Sequence, residues 1–275
     1  MNPHSAQPVS PKSMAQSLWR HRQLILQMTK REVVGRYKGS VMGLLWSFLN
    51  PLFMLVVYTF VFSVVFKAKW GAGDESRTQF AVVLFAGMIV HALFADILNR
   101  APGLILANTN YVKKVVFPLE TLVAIAAGAA LFHALASLSV LLIAFLIFNG
   151  YLHWTAVFLP FVFLPLLLLA MGCGWILASI GVFARDVGQV VTVLTTVLLF
   201  LSPVFFPVSS LPPLLRPWIM LNPLTFIIEQ TRGVLVWGHL PDWMGLAIYL
   251  VCASAFAWLG YAWFQKTRKG FADVL

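Results

Sequence analysis

Six apolar segments, each about as long as a helix that crosses a lipid bilayer, dominate the 275-residue chain. The apolar core of a bilayer is about 30 Å thick, so a helix needs about 20 apolar residues to cross it. Hydrophobic residues make up 60% of the chain and charged residues 10%, which is too little charge for a water-soluble domain of this length. We therefore predict an all-α integral membrane protein with six transmembrane spans, at residues 44–66, 80–98, 122–148, 156–183, 189–205 and 244–264.

The lysine and arginine residues predict the orientation of these spans. Fourteen of the nineteen lie in the N-terminal arm, the second and fourth connections and the C-terminal tail, and five lie on the opposite side. Because basic residues are enriched in cytoplasmic segments, both termini are expected in the cytoplasm. The net charge of +10 is explained by this orientation signal and by a basic surface that meets lipid headgroups and a protein partner. Nucleic acid is therefore not an expected partner.

Residues 1–38 form an arm that precedes the first span. Between Leu18 and Tyr37, at 100° per residue, polar and apolar side chains fall largely on different arcs, which is typical of an amphipathic helix lying at a membrane surface. Its predicted contacts with the membrane lipids are Trp19, Arg31 and Arg36. A solvated basic arm is the alternative interpretation.

The connection before the last span, residues 206–243, is apolar but is interrupted by six prolines, so it cannot form one helix. Ser210 is a candidate cap for a short helix that starts just after it. Asn222 followed by Pro223 is a cap and first-turn signal for a second helix, which ends near Gly233. Helices of about ten residues are half a bilayer long, so we predict a re-entrant or interfacial hairpin over 210–233 on the outer side. A seventh span is the alternative.

Two charged residues of this hairpin, Glu229 and Arg232, are three positions apart and could pair on one helix face. With Asn222 they form a predicted outer clamp or gate. A clamp would hold the hairpin together, whereas a gate would contact an anionic substrate or a second subunit.

Ionisable residues inside spans are functional candidates, because burying them in lipid is costly. His91 and His133 lie near mid-depth, and we expect them to hydrogen-bond each other or a backbone carbonyl, since no carboxylate is placed to complete a proton relay. Asp96 and Arg100 are four residues apart at a span end, and we expect an ion pair between them.

The sequence holds no motif for catalysis or for a metal site. It has no His-Glu-x-x-His pair, no Gly-x-Ser-x-Gly elbow and no cluster of carboxylates that could hold Mg²⁺. No catalytic or metal-binding residue is therefore predicted. Trp154, Trp218 and Trp237 are expected at the outer interface, either as membrane anchors or as rings that stack on sugars.

Three stretches of the chain form a recognisable set: residues 31–46 followed by Asn50-Pro51-Leu52, residues 108–118, and Asn222-Pro223-Leu224 with Glu229 and Arg232. Together they resemble the permease subunits of type-2 ABC exporters, which export O-antigen and related polysaccharides. The resemblance covers roughly residues 15–270.

The resemblance implies a half-transporter, with a transmembrane domain at 39–267 and a cytoplasmic tail at 268–275. Two copies of the chain would form the channel, and a separate ATPase dimer would bind ATP and Mg²⁺, so the chain itself would bind no cofactor. Residues 100–111, which we name the coupling segment, would form a helix set in a groove of the ATPase; a solvated loop is the alternative. The expected ATPase contacts are Arg100, Gly103, Leu106, Asn108, Tyr111, Arg185 and Asp186.

The resemblance also implies a cargo and a location. The sequence has no large extracellular domain, as in exporters of undecaprenyl-linked polysaccharide, so the expected cargo is a lipid-linked polysaccharide that crosses the bacterial inner membrane. O-antigen is favoured over capsule or teichoic acid. The competing functions are an ion-coupled secondary transporter and a membrane transferase acting on lipid-linked sugars. Against them stand the lack of a clear inverted repeat, of a midplane carboxylate and of paired carboxylates.

Overall fold

The computed structural model describes residues 8–65, 70, 77–113 and 117–275, and within these ranges it contains helices and connections but no strand. The α-helices are α1 (Pro11–Arg20), α2 (Arg22–Arg36), α3 (Trp46–Tyr58), α4 (Arg77–Arg100), α5 (Thr109–Lys113), α6 (Thr121–Asn149), α7 (Leu159–Phe183), α8 (Val187–Leu201), α9 (Arg216–Met220), α10 (Pro223–Leu235), α11 (Trp243–Thr267) and α12 (Phe271–Val274). A π-helical segment, Thr59–Val65, continues α3.

Among the described residues, five helical stretches are long and apolar enough to cross a membrane. They are Gly43–Phe62, Gln79–Gly103, Thr121–Asn149, Trp154–Phe183 and Trp243–Gly270, and they confirm the prediction of an all-α, multi-pass membrane protein. The fifth predicted span, 189–205, corresponds to α8, which has only 15 residues. At 1.5 Å per residue α8 is about 22 Å long, less than a bilayer core, so the count of six spans stays a prediction.

Some sequence predictions fall on residues outside the described ranges. They concern Phe66, the end of the first predicted span, and three basic residues counted for orientation, Lys67, Lys69 and Lys114.

Helix α4 forms the centre of the bundle. It contacts α3, α6, α7, α8 and α10, and its span is the most enclosed of the five. A helix that is apolar on all sides is stable in this position, because every face meets another helix. The outer helices α3 and α8 expose apolar side chains such as Phe53, Val56, Val193 and Val197, which are suited to contact with lipid.

Helices α7 and α11 pack backbone against backbone. A Cβ atom added to Gly260 would overlap the carbonyl oxygen of Gly172, and one added to Gly172 would lie 2.9 Å from the Cα of Ala257. Small residues permit this close approach. In lipid the hydrophobic effect does not drive helices together, so the van der Waals packing that close approach allows holds the pair instead.

The N-terminal arm differs from the single helix predicted for residues 18–37. Helix formation starts earlier, at Pro11, and the arm bends at His21, where ψ is 12°. Two side chains at the bend contact carbonyls in the last turn of α1: His21 Nδ1 lies 2.9 Å from the oxygen of Ser17, and Arg22 donates to the oxygen of Trp19 at 3.0 Å.

The predicted hairpin is correct in its second helix and wrong in its first. Asn222 caps α10 by accepting a hydrogen bond from the Leu224 amide at 2.9 Å. The first helix, α9, has five residues and begins at Arg216, and Ser210 donates to the carbonyl of Pro207 instead of capping it. Pro217 explains the later start, because proline favours the first turn of a helix. Whether the segment re-enters the membrane stays a prediction.

Candidate functional site

Arg232 lies at the centre of the predicted outer clamp and is fully buried. Its guanidinium donates four hydrogen bonds, which leaves at most one of its five N–H groups for another partner. The acceptors are the carbonyl oxygens of Val83 (3.0 Å), Pro203 (2.6 Å) and Val204 (2.9 Å) and the Glu229 carboxylate (3.0 Å).

Two further residues enclose this guanidinium, and sequence spacing gave no sign of them. Trp70 lies beneath it, with the ring centroid 4.2 Å from the Arg232 Cζ, which adds a cation–π interaction. Gly87 leaves the space, because a Cβ there would lie 2.8 Å from Nη2. Arg232 therefore joins α4, α10 and the turn after α8, which favours the clamp over the gate. Glu229 is half-buried.

Asn222 binds the same turn from the other side. Its Nδ2 donates to the Ser202 hydroxyl at 2.9 Å, while its side-chain oxygen caps α10. Asn222 and Arg232 thus both bind residues 201–204, where α8 ends, and Glu229 is joined to this turn through Arg232. We name this group, Asn222, Glu229 and Arg232 with the turn that they bind, the outer clamp.

The two histidines have different surroundings. His91 Nε2 lies 2.9 Å from the carbonyl oxygen of Thr195, and the Thr195 hydroxyl donates to the Asn99 side chain at 2.9 Å, so this polar seam holds α8 against α4. His133 Nδ1 instead lies 3.5 Å from the Tyr37 hydroxyl. Of the two predicted partners for His91, the backbone carbonyl is correct and the second histidine is wrong. Burial raises the pKa of the Tyr37 phenol above its ordinary value.

An ionic cluster joins α2 to the C-terminal end of α4. Arg100 pairs with Glu32 of α2 and with Asp96, at 3.8 Å, which confirms the expected ion pair within α4. Arg36 lies 3.6 Å from the same Asp96 carboxylate. The predicted membrane-contacting Arg36 thus also binds the bundle, since it faces Asp96.

Helix α2 lies along α6 rather than free in solvent. The Thr29 hydroxyl donates to the Ile125 carbonyl at 3.4 Å, and Gly128 permits this contact because a Cβ there would lie 2.7 Å from the Thr29 oxygen. In the same arm, Trp19 is 70% exposed and Arg31 is also exposed. Both are accessible to the lipid headgroups that we expect them to contact.

The coupling segment is not one helix. Helix α4 ends at Arg100, and two 3₁₀ turns, Ala101–Gly103 and Leu106–Asn108, lead into α5. Pro102 explains the difference, because proline lacks an N–H and its ring clashes with the preceding helical turn. The first turn packs tightly on α7, where a Cβ on Gly181 would overlap the Pro102 carbonyl oxygen.

The predicted ATPase contacts differ in exposure. Gly103 is exposed, with open space around it, and Arg185 and Asp186 are also exposed. The other predicted contacts in the segment, Arg100, Leu106, Asn108 and Tyr111, are partly buried, and two of them have specific contacts. Asn108 donates to the Leu104 carbonyl at 2.8 Å, Tyr111 stacks on Phe117 with ring centroids 4.4 Å apart, and Leu106 is partly buried.

The three candidate sugar-stacking tryptophans do not form a stack within the described residues. Trp154 and Trp218 are 68% and 70% exposed, whereas Trp237 is partly buried. Trp154 contacts Phe158, with ring centroids 5.6 Å apart. Among the described side chains, no group of three or more His, Cys, Asp or Glu is arranged to hold a metal ion.

Comparison with known proteins places these features in context. A family model for ABC-2 type transporters matches residues 23–236. O-antigen export system permease protein RfbA of Myxococcus xanthus is 26% identical over 264 residues, covering 95% of this chain and 99% of that protein. Polysialic acid transport protein KpsM of Escherichia coli is 25% identical, covering 87% and 91% of the two chains. Capsule polysaccharide export inner-membrane protein CtrC of Neisseria meningitidis serogroup B is 27% identical, covering 94% and 96%.

Proposed function

Because the chain belongs to the ABC-2 type transporter family, we propose that it is the channel-forming permease subunit of an ATP-driven polysaccharide exporter. The observation that carries this proposal is the near full-length similarity to relatives named for O-antigen, polysialic acid and capsule export. The cargo is a lipid-linked polysaccharide that moves from the cytoplasm across the bacterial inner membrane. O-antigen is the favoured cargo. Capsular polysaccharide is the second candidate, because relatives named for capsule and polysialic acid match over nearly as much of the chain.

The proposed topology has six spans, with α8 as the fifth and both termini in the cytoplasm. Two contacts at opposite ends of α8 support it. Gly188, at the start of α8, lies beside Pro102, whereas the turn at its end binds Asn222. The Thr155 hydroxyl donates to the Val234 carbonyl at 2.6 Å, which joins the connection between α6 and α7 to α10. These contacts support α8 as the fifth span, and α9 and α10 would form the outer hairpin.

The proposed assembly contains two copies of this chain and a separate dimer of nucleotide-binding subunits, which bind ATP and Mg²⁺. This chain supplies the docking surface. The coupling segment and the connection with Arg185 and Asp186 both follow the ends of long helices at one end of the bundle, which supports a shared role in docking. Exposure of Gly103, Arg185 and Asp186 makes them available to such a partner.

The test is reconstitution of the chain with the separate nucleotide-binding ATPase that the proposal requires. In proteoliposomes that contain undecaprenyl-linked O-antigen, we expect a stable complex, ATP hydrolysis and ATP-dependent movement of the polysaccharide. A G103E variant, whose bulky charge would obstruct docking, should lose stimulation of the ATPase. A complex that transports capsular polysaccharide but not O-antigen would establish the second candidate, and failure of the two subunits to associate would refute the proposal.

A further inference from the structure

Glu120 is a buried carboxylate at the start of α6 to which no role has been assigned above. It is 6% exposed, and both of its oxygens are bonded. Oε2 accepts a hydrogen bond from Arg268 at 3.0 Å, and Oε1 accepts one from the Ser17 hydroxyl of α1 at 2.7 Å. Its backbone carbonyl accepts a third bond, from the Trp175 indole at 2.9 Å. A buried carboxylate is stable only when it is paired in this way, so removing Arg268 would leave it without its cation.

Arg268 also reaches the residues that support the coupling segment. Its second terminal nitrogen, Nη2, donates to the carbonyl oxygen of Phe117 at 3.0 Å. The Phe117 ring is buried, and the ring of Tyr111, the last residue of the coupling segment, lies on it at an interplanar angle of 13°. Arg268 thus fixes the backbone of the residue on which Tyr111 rests.

Phe271, three residues further on, packs beside the other cytoplasmic connection. Its side chain is fully buried, with ring centroids 5.4 Å from Phe264 and 6.0 Å from Phe183. Phe183 is the last residue of α7 and directly precedes the connection that contains Arg185. Helix α12 lies against both α5 and α7. The C-terminal tail, residues 268–275, therefore contacts the supports of both segments that are expected to meet the ATPase.

We propose that the C-terminal tail is a positioning element of the ATPase-docking surface. Through Arg268 and Phe271 it holds the coupling segment and the Arg185 connection in a fixed relation, so that both fit one nucleotide-binding subunit at the same time. Both are positioning residues, because they act on the partner through the segments that they hold. This inference rests on the proposed function.

The test compares R268Q, E120Q and F271A with a matched control, K269A, in the full-length chain. Lys269 lies in the same tail but is exposed. ATPase affinity is measured by titrating the purified nucleotide-binding subunit onto nanodiscs that contain each variant. We expect R268Q and F271A to weaken binding on the order of tenfold, because each loosens the docking segments without removing a direct contact with the ATPase. K269A should bind as the unchanged chain does.

Two further readouts separate positioning from general stability. Hydrogen exchange should become faster in the coupling segment of R268Q, while exchange in the interior of α4 stays unchanged. The double variant E120Q/R268Q should weaken binding no more than either single variant, because the two residues act as one pair. If R268Q fails to fold, R268K, which keeps the charge but lacks the planar fork, replaces it.

The outcomes distinguish this inference from the proposal on which it rests. Unchanged affinity of R268Q and F271A, or an equal loss in K269A, would overturn the positioning role. Failure of the unchanged chain to bind the ATPase would instead refute the proposed function.

Discussion

Replacing Arg232 by methionine should destabilise the protein strongly, because it removes the hydrogen bonds of the outer clamp. Methionine is chosen because the side-chain volume changes little. The carbonyls of Pro203 and Val204 lie in the turn after α8 and would lose their guanidinium donors. Each buried carbonyl left unpaired costs about 1–3 kcal/mol. Glu229 would lose its cation as well, although its carboxylate is 36% exposed and can be partly solvated. We expect a total of about 3–5 kcal/mol, as for other buried ion pairs from which one partner is removed.

The assay is thermal unfolding in nanodiscs, followed by the fluorescence of the ten tryptophans. One of them, Trp70, lies against the guanidinium and reports on the clamp directly. A loss of 3–5 kcal/mol should lower the Tm by roughly 6–20 °C in a chain of this size. R232K should lie between the unchanged protein and R232M, because lysine keeps the charge but cannot reach all the acceptors at once.

The matched control is R216M on α9. Arg216 also donates to two backbone carbonyls, those of Ser209 and Leu211, but it is exposed. Water can replace its bonds, so the change should be within about 0.5–1 kcal/mol. A Tm for R232M within 2 °C of the unchanged protein would refute the clamp. If export were lost at that unchanged Tm, Arg232 would instead act as a gate.

Three further predictions concern other contacts. G181A should reduce stimulation of the ATPase at least tenfold in the reconstituted complex, because the new Cβ overlaps the Pro102 carbonyl oxygen and displaces the coupling segment. E32Q should lower the free energy of unfolding by only about 1 kcal/mol, measured by the same thermal assay, since its ion pair with Arg100 is partly exposed. W218A should leave the Tm unchanged and export within twofold, as for a membrane anchor; a larger loss of export would identify Trp218 as a sugar contact.

The sequence was sufficient to predict the long spans because length and apolar composition determine them locally. It was less informative where tertiary contacts replace helical bonds. Helix α8 stops at Leu201 rather than continuing to residue 205, because Pro203 disfavours helical backbone at Ser202, whose ψ is 151°. The carbonyls of Pro203 and Val204 then bond to Arg232 of α10. No periodicity in residues 189–205 carries that information.

In the outer clamp, too, one contact could be predicted from the sequence and the others could not. The pairing of Glu229 with Arg232 could be predicted from their spacing of three, whereas the remaining partners could not. Val83 is 149 residues away from Arg232 in the chain, and it contributes a backbone carbonyl, which any residue type would provide. Likewise, the chain bends at His21, inside the predicted amphipathic helix, and a 100° periodicity does not detect such a bend.

At both ends of the bundle, an arginine side chain bonds to backbone carbonyls that lack a helical N–H partner. Irregular backbone near a membrane leaves carbonyls without helical N–H partners, and these must be satisfied within the protein. Arg232 binds Pro203 and Val204 at one end, and Arg268 binds Phe117 at the other end, each while it pairs with a glutamate. A planar fork with five donors can bind a carboxylate and carbonyls together, whereas an ammonium is a single point of charge. Arginine is therefore required at both positions for its geometry as well as its charge. Because the two sites share no partner, the losses of stability in R232K and R268K should add in the double variant.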